Sequence, residues 1–282
     1  MPAHALSERA ARAALAAHFA PGQLAAELDE YTPAEVWQRR VRGDGSGRLA
    51  HYRPHEELAQ AELTCPFVLP SDEEWPTALA DLGPACPLGL WVRGRERLPR
   101  LSGTAVVVTG NRVPTERAVT CAHDFAAALA EAGHTVTATL AYGVDSTAHQ
   151  AAAETGAASL AVLPRGLDGA HPHAHASLLR SVLDGGGAAV SLYRPGTVAS
   201  GATLKASAAV LAALARAVIL VEAWTTSRRC TRPRRPLTSA GPCSPCPARG
   251  ASAPVATPDS STGSSPCIVP IPVWCSLCRT RA

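Results

Sequence analysis

The sequence of 282 residues contains one methionine and, at Lys205, one lysine among its 26 basic residues. Aromatic residues make up only 4% of the chain and charged residues 17%. Low charge together with 46% apolar residues excludes a chain that is disordered throughout, because enough apolar surface is present to form a core. The scarcity of Lys and Met is typical of a GC-rich coding sequence.

Long apolar runs are also missing. No stretch approaches the roughly 18 to 20 residues that a membrane span needs, and the N-terminus has no apolar core followed by a cleavage site of small residues. We therefore expect a cytoplasmic protein without a membrane partner. The length predicts one large domain and one small one, at roughly 100 to 200 residues per domain.

Charge and composition change abruptly after Ala223. Residues 1–223 carry 18 basic and 22 acidic side chains, whereas residues 224–282 carry eight arginines and a single acid, Asp259. The second segment also contains six of the nine cysteines and ten of the 24 prolines. Such a mixture supports neither a helical nor a strand period, so we expect an irregular tail.

The first hundred residues divide into two parts. Residues 1–65 predict a small helical N-terminal domain, with Ser7 as the cap of its first helix. Residues 66–100 are rich in Pro and predict an ordered connector that ends in a short strand at 88–92.

Between residues 101 and 223, short apolar runs alternate with helical windows. The expected strands are 105–108, 136–140, 160–163, 188–192 and 217–221, and the helical windows are 115–132, 145–155 and 204–214. Continuous Val, Leu and Ala runs are typical of strands that are buried on both faces. This part of the chain predicts a Rossmann-like α/β domain, with a parallel sheet and helices on both faces.

Three turns follow strands of this sheet, at residues 109–112, 141–145 and 164–168. Each contains a glycine that lets the backbone approach a ligand, and helix N-termini nearby offer N–H donors to an anion. Arg112 and Arg165 add forked donors that suit phosphate oxygens. The turns together predict a phosphate-binding site, although for each turn alone we favour plain turn geometry as the explanation of its glycine.

Neither a GxGxxG nor a GxxxxGK[ST] motif is present, which disfavours a tight dinucleotide or nucleoside triphosphate site. We expect no cofactor.

Several segments carry a family resemblance. They are Val107-Val108-Thr109-Gly110-Asn111-Arg112, Leu140-Ala141-Tyr142-Gly143-Val144-Asp145 with Ala148-His149, Gly166-Leu167-Asp168, Val221-Glu222-Ala223, and Glu74-Trp75-Pro76 with Pro87-Leu88-Gly89-Leu90-Trp91-Val92. In order and spacing this set resembles the DprA/Smf family of DNA-processing proteins over roughly residues 60–223. The resemblance implies a dimeric, non-enzymatic cytosolic protein that binds single-stranded DNA, protects it and hands it to the RecA recombinase during transformation.

The resemblance also implies DNA contacts at matching positions. Asn111 stands where the family's Gly-Ser-Arg turn has Ser, Tyr142 stands where many members have Arg, and Lys205 is the remaining charge of an Arg-rich segment. Fewer basic residues predict weaker or differently placed DNA binding. The candidate DNA-binding residues are Gly110, Asn111, Arg112, Tyr142, Gly143, Asp145, Arg165, Gly166 and Lys205.

Other polar groups are open to a catalytic interpretation and a structural one. Asp145 and His149, four residues apart, have the spacing of an acid–base pair, but we favour helix capping and a helix-to-loop hydrogen bond, because no nucleophile accompanies them. His171, His173 and His175 suggest a metal less strongly than loop structure. Glu222, at a strand end, is open to a functional interpretation and to a structural one, in which it makes hydrogen bonds at the edge of the sheet. We therefore expect no catalytic residue.

The tail after Ala223 has two explanations. Cys243, Cys246, Cys275 and Cys278 form two CxxC pairs that could hold zinc. Alternatively, the reading frame changes just after Ala223: shifting it back by one base, with GC-favoured codons, permits a further helix and strand of the sheet. We favour the frame change, which predicts that strand 217–221 lacks its cover.

The leading hypothesis is thus a single-stranded DNA-binding DNA-processing protein. One alternative is a Rossmann-type nucleotide-processing enzyme similar to the phosphoribohydrolases, although their Pro-Gly-Gly-x-Gly-Thr loop is absent. Another is an inactive, truncated gene product.

Overall fold

A computed structural model describes residues 5–94 and 97–223 and the backbone of residues 267–270. Its first part is helical, with α1 (Glu8–His18), α2 (Ala25–Glu30), α3 (Pro33–Gly43) and α4 (Pro54–Glu62). Ser7 Oγ accepts a hydrogen bond from Ala10 N at 3.3 Å and caps α1, as predicted. Thr32 and Glu35 form a reciprocal capping box at the start of α3.

These helices share their core with the sheet that follows. On one side, Leu15, Leu24 and Trp37 are buried together with Leu88 of the connector. On the other side, α1 and α4 pack in the same cluster as Phe67 and Trp91. The shared core matters because about 65 residues alone bury too little surface for more than marginal stability.

The sheet of the described residues has eight strands. They are β1 (Phe67–Val68), β2 (Leu90–Gly94), β3 (Ala105–Thr109), β4 (Thr135–Ala138), β5 (Ser159–Val162), β6 (Ala188–Ser191), β7 (Ala217–Leu220) and β8 (Cys267–Pro270). Their spatial order is β1-β2-β6-β5-β4-β3-β7-β8. The five central strands β6, β5, β4, β3 and β7 are parallel, and the outer strands are antiparallel.

The connector contributes the two strands at one side of the sheet. Its predicted strand at 88–92 is observed as Leu90–Gly94, which pairs with β6 in the register Trp91↔Ser191. Between β1 and β2 the chain forms a 3₁₀ segment, Thr77–Ala85, whose Leu79 is fully buried.

Helices cover both faces of the parallel strands. They are α5 (Leu98–Gly103), α6 (Glu116–Glu131), α7 (Val144–Glu154), α8 (Ala176–Asp184) and α9 (Gly201–Leu214). Helices α6, α7 and α8 pack on one face, whereas α5 and α9 pack on the other. The predicted Rossmann-like architecture is confirmed. Within the described residues, no helix has the length and apolar character needed to cross a bilayer.

The tail contributes one described strand. Its backbone pairs antiparallel with β7, from Ala217↔Pro270 to Leu220↔Cys267. Strand β7 therefore has a neighbour at the edge where the sequence predicted an uncovered strand.

Candidate nucleic-acid interface

The order of the strands places a crevice between the ends of β3 and β7. From β3 the chain continues to β4, β5 and β6 on one side, whereas β7 lies on the other side of β3. Thr109 and Leu220, the last residues of β3 and β7, are paired. Ligands of open parallel sheets bind at such a reversal, beyond the carboxyl ends of the strands. We call this side of the sheet the carboxyl edge.

Glu222 holds the turn that follows β3. Its Oε2 accepts hydrogen bonds from Asn111 Nδ2 at 2.9 Å and Thr115 N at 3.2 Å, and its Oε1 accepts one from Thr115 Oγ1 at 2.9 Å. The Asn111 side chain, followed by Thr115, lowers the pKa of Glu222, because these hydrogen bonds favour the carboxylate. The hydrogen-bonding interpretation of Glu222 therefore agrees with the structure.

The glycines of the first two turns allow close backbone contact. A Cβ on Gly110 would lie 2.9 Å from Glu222 O, and a Cβ on Gly143 would lie 2.3 Å from Asn111 O. Gly143 also has φ of +84°, which side chains disfavour. The turns after β3 and β4 therefore support each other through their backbones.

Three of the N–H donors at the starts of the helices that follow these turns are already used within the protein. Thr115 N binds Glu222, and Ala118 N binds Thr115 Oγ1 at 3.2 Å at the start of α6. At the start of α7, Val144 N donates to Asn111 O at 3.2 Å. These three donors are therefore not available to an anion, and the prediction of anion binding rests on the remaining N–H groups and on side chains.

Arg112 is the exposed cation of the first turn. Among the described residues its guanidinium has no hydrogen-bond or ion-pair partner. It therefore offers forked donors to a phosphate at no cost in lost protein contacts.

Arg165, on the turn after β5, is held differently. Its Nη2 lies 3.1 Å from Asp168 Oδ2, its Nη1 lies 3.5 Å from Ala170 O, and its side chain is only 23% exposed. Gly166 is buried, and a Cβ there would lie 2.4 Å from Arg194 O. Arg165 would have to exchange an internal ion pair for a phosphate, which makes it a weaker candidate than Arg112.

Tyr142 lies beside these turns, with 49% of its surface exposed. Its ring packs against that of His175 at a centroid distance of 4.6 Å and an angle of 69°. His175 Nδ1 is 2.7 Å from Leu140 O. The support of Tyr142 by His175 was missed from the sequence, because 33 residues separate the two side chains.

Asp145 is directed into the protein. It is 4% exposed and accepts hydrogen bonds from Thr109 Oγ1 at 2.8 Å, from Thr139 N at 3.1 Å and from Thr139 Oγ1. Burial raises the pKa of this carboxyl group. Gly143, not Asp145, occupies the N-cap of α7, so the predicted capping role is wrong. Asp145 therefore connects the ends of β3 and β4 from inside the protein and stabilises the turns that follow them.

His149 is fully buried, and its Nδ1 lies 3.1 Å from Ser159 Oγ on β5. Burial lowers its pKa to about 4. The predicted structural role of His149 agrees with this hydrogen bond, but the partner lies on a strand and not on a loop as predicted.

The histidine-rich loop lies near the two arginines. Burial lowers the pKa of His171, followed by the positive charges of Arg112 and Arg165, so each of the two guanidinium groups is within electrostatic reach of His171. In the part of the chain that the structure describes, no three metal-binding side chains are grouped. Cys243, Cys246, Cys275 and Cys278 lie outside the described residues.

Lys205 is exposed on α9, which lies on the other face of the sheet from α6 and α7. Ser207 on the same helix donates to Leu163 O at 3.2 Å, just beyond β5. Lys205 is therefore placed across the sheet from the turns that carry Arg112 and Tyr142.

Fold and site together define a Rossmann-type protein with an exposed cation and an exposed aromatic ring at its carboxyl edge. The family model described as DNA recombination-mediator protein A matches residues 66–229. A DNA processing protein DprA of Mycobacterium tuberculosis is 33% identical in an alignment of 224 residues that covers 73% of this chain and 57% of that protein. The chain belongs to this family of DNA-processing proteins, DprA/Smf.

A second relative agrees with this assignment, and two solved structures share the fold. Protein Smf of Escherichia coli is 33% identical over 158 residues, 55% of this chain and 41% of that protein. The X-ray structure of DprA from Streptococcus pneumoniae has a TM-score of 0.53 at 22% identity and covers 76% of this chain and 72% of that one. DNA processing protein A of Helicobacter pylori, studied for its single-stranded DNA binding mode, has a TM-score of 0.50 at 23% identity, with 57% and 71% covered. The chain spans little more than half the length of the mycobacterial relative.

Proposed function

We propose that this protein binds single-stranded DNA along its carboxyl edge, with Arg112 as the principal phosphate contact. The observation that carries the proposal is the exposed Arg112 side chain on a turn fixed by Glu222 and Gly143. Because the backbone of this turn is already fixed, binding of a phosphate has to order only the side-chain rotamers of Arg112. Gly110 and Gly143 contribute by holding this turn in shape, and the buried Gly166 does the same for the turn after β5. Arg165 and Lys205 are secondary contacts.

Oligonucleotide binding at low salt tests this proposal. Arg112→Ala should weaken binding of a labelled single strand by roughly tenfold, because a charge-assisted hydrogen bond is lost. Arg216 provides the control, since it is exposed and precedes β7 at the opposite edge of the sheet. Equal affinities of the Arg112→Ala and Arg216→Ala variants, or no binding by the unmodified protein, would contradict the proposal.

We further propose the cellular role that family membership suggests. The protein acts in the cytoplasm as a homodimer without enzymatic activity, protects incoming single-stranded DNA and loads RecA during natural transformation. The inward direction of Asp145 and His149 supports the non-enzymatic part, because neither side chain presents a proton-transfer group to a substrate. Release of free base from a nucleoside monophosphate would instead favour the nucleotide-processing alternative.

RecA loading is measured through the ATPase activity of RecA on single strands that are already coated with single-strand-binding protein. Adding this protein should shorten the lag before ATP hydrolysis and should slow digestion of a bare strand by an exonuclease. Arg112→Ala should reduce both effects, and Arg216→Ala should reduce neither. An unchanged lag would refute RecA loading, and unchanged digestion would refute protection.

A further inference from the structure

Tyr142 is an aromatic side chain that stays open to solvent at a site already fixed by its neighbours. Tyr142 is 49% exposed, whereas Phe67, Trp75 and Trp91 of the same sheet and connector are 7% exposed or less. Burial of its apolar ring in the core does not explain its position.

The orientation of the Tyr142 ring is restrained by His175. The two rings meet edge to face at 4.6 Å, and the hydrogen bond between His175 Nδ1 and Leu140 O fixes the imidazole in turn. A ring that is held in one orientation loses little entropy when another flat group stacks on it.

Tyr142 is also adjacent to the turn after β3, which carries Arg112. The next residue, Gly143, lies so close to the backbone of Arg112 that a Cβ would be 2.8 Å from the Arg112 carbonyl carbon. Val113, the residue after Arg112, adds an apolar side chain that is 83% exposed. Cation, aromatic ring and apolar side chain therefore lie on two turns in direct contact.

We propose that Tyr142, supported by His175, is a nucleobase-stacking site that acts together with Arg112. Single-strand-binding surfaces combine a cation for the backbone with aromatic rings for the bases, and stacking tolerates any base because every base has a π-face. This inference rests on the proposed function, since it names the contact to the base at the same interface. It predicts that base and phosphate are recognised by different side chains.

The experiment compares two oligomers of equal length and phosphate number, oligothymidylate and its abasic tetrahydrofuran analogue. We expect the protein to bind the base-containing oligomer roughly tenfold more tightly, the size of one stacking contact. Tyr142→Leu should remove most of this preference, and Tyr142→Phe should retain it. Arg112→Ala should weaken binding of both oligomers and leave the preference between them.

A second measurement does not depend on variants. An oligomer that carries 5-iodouracil forms photo-crosslinks to stacked aromatic side chains, and mass spectrometry of the digested adduct should locate the link at Tyr142 or His175.

The outcomes separate the two proposals. Binding without a base preference, a preference unchanged by Tyr142→Leu, or a crosslink confined to other segments overturns the stacking site alone. Failure of the unmodified protein to bind either oligomer at low salt overturns the proposed function and the stacking site with it.

Discussion

Gly143 and Gly133 both have a positive φ, +84° and +80°, but different surroundings. Around Gly133 no atom lies within 4 Å of the position of a Cβ, whereas at Gly143 the Asn111 carbonyl oxygen is 2.3 Å away. The two residues thus separate the cost of an unfavourable φ from the cost of a steric clash.

We expect Gly133→Ala to lower the free energy of unfolding by about 1 kcal/mol, the cost of a positive φ alone. Gly143→Ala should lower it by about 3 kcal/mol, because the clash with Asn111 adds to that cost. Urea denaturation of the two variants measures the difference. Equal losses would show that the turns after β3 and β4 are not in the close contact described here.

Arg112 and Arg165 show that the residue type alone does not tell whether a guanidinium group is free to bind a phosphate. Both lie in a glycine-containing turn that follows a buried strand, so the sequence alone predicts the same role for both. The structure distinguishes them, because Arg165 is paired with Asp168 and Arg112 is exposed.

Helix α7 carries two buried ionisable groups on its first two turns. Asp145 accepts hydrogen bonds from Thr109, the last residue of β3, and from Thr139, which directly follows β4. His149 is hydrogen-bonded to Ser159 on β5. The helix is thereby fixed beneath the interface by polar contacts as well as by apolar packing.

His149 gives the protein a predictable sensitivity to acid. Its pKa is about 4 in the folded state, against an ordinary value of 6.5. Between these values the unfolded chain binds a proton that the folded chain does not, so stability rises with pH across this window. The contribution of neutral His149 to the free energy of unfolding is fully present above pH 6.5 and is lost as the pH falls towards 4.

His149→Gln removes this titration. The free energy of unfolding of the variant should change less between pH 6.5 and about 4 than that of the unmodified protein, by about 3 kcal/mol at most. Chemical denaturation at several pH values measures both curves, and the remaining histidines contribute equally to each. Parallel curves would contradict a neutral, buried His149.

The elements of the parallel sheet could be predicted from the sequence, and their pairing with the connector could not. The run at 105–108 is observed as Ala105–Thr109, and the run at 217–221 as Ala217–Leu220, because continuous apolar residues are a local signal. The antiparallel pairing of Trp91 with Ser191 joins residues 100 positions apart and has no local signal.

The candidate site was predictable to the same extent. The turns with Gly110, Arg112 and Gly143 could be identified, because the carboxyl ends of parallel strands meet at one edge. The inward direction of Asp145 could not, since it depends on Thr109 and Thr139 in neighbouring segments. The same holds for the pairing of Tyr142 with His175.

At the scale of the molecule, the charge balance of residues 1–223 constrains how the proposed DNA binding arises. Residues 1–223 carry more acidic than basic side chains, 22 against 18, so the net field of this part repels a polyanion. Binding by this part therefore has to come from a local cation such as Arg112. Affinity that depends on few phosphate contacts falls less steeply with salt than affinity that depends on many.

The most direct test of the account is the salt dependence of single-strand binding. A plot of the logarithm of the association constant against the logarithm of salt concentration should have a negative slope, and Arg112→Ala should reduce its magnitude by about 0.7, the contribution of one phosphate contact on a single strand. Arg216→Ala should leave the slope unchanged. The same slope for Arg112→Ala as for the unmodified protein would contradict a phosphate contact by Arg112 at the carboxyl edge.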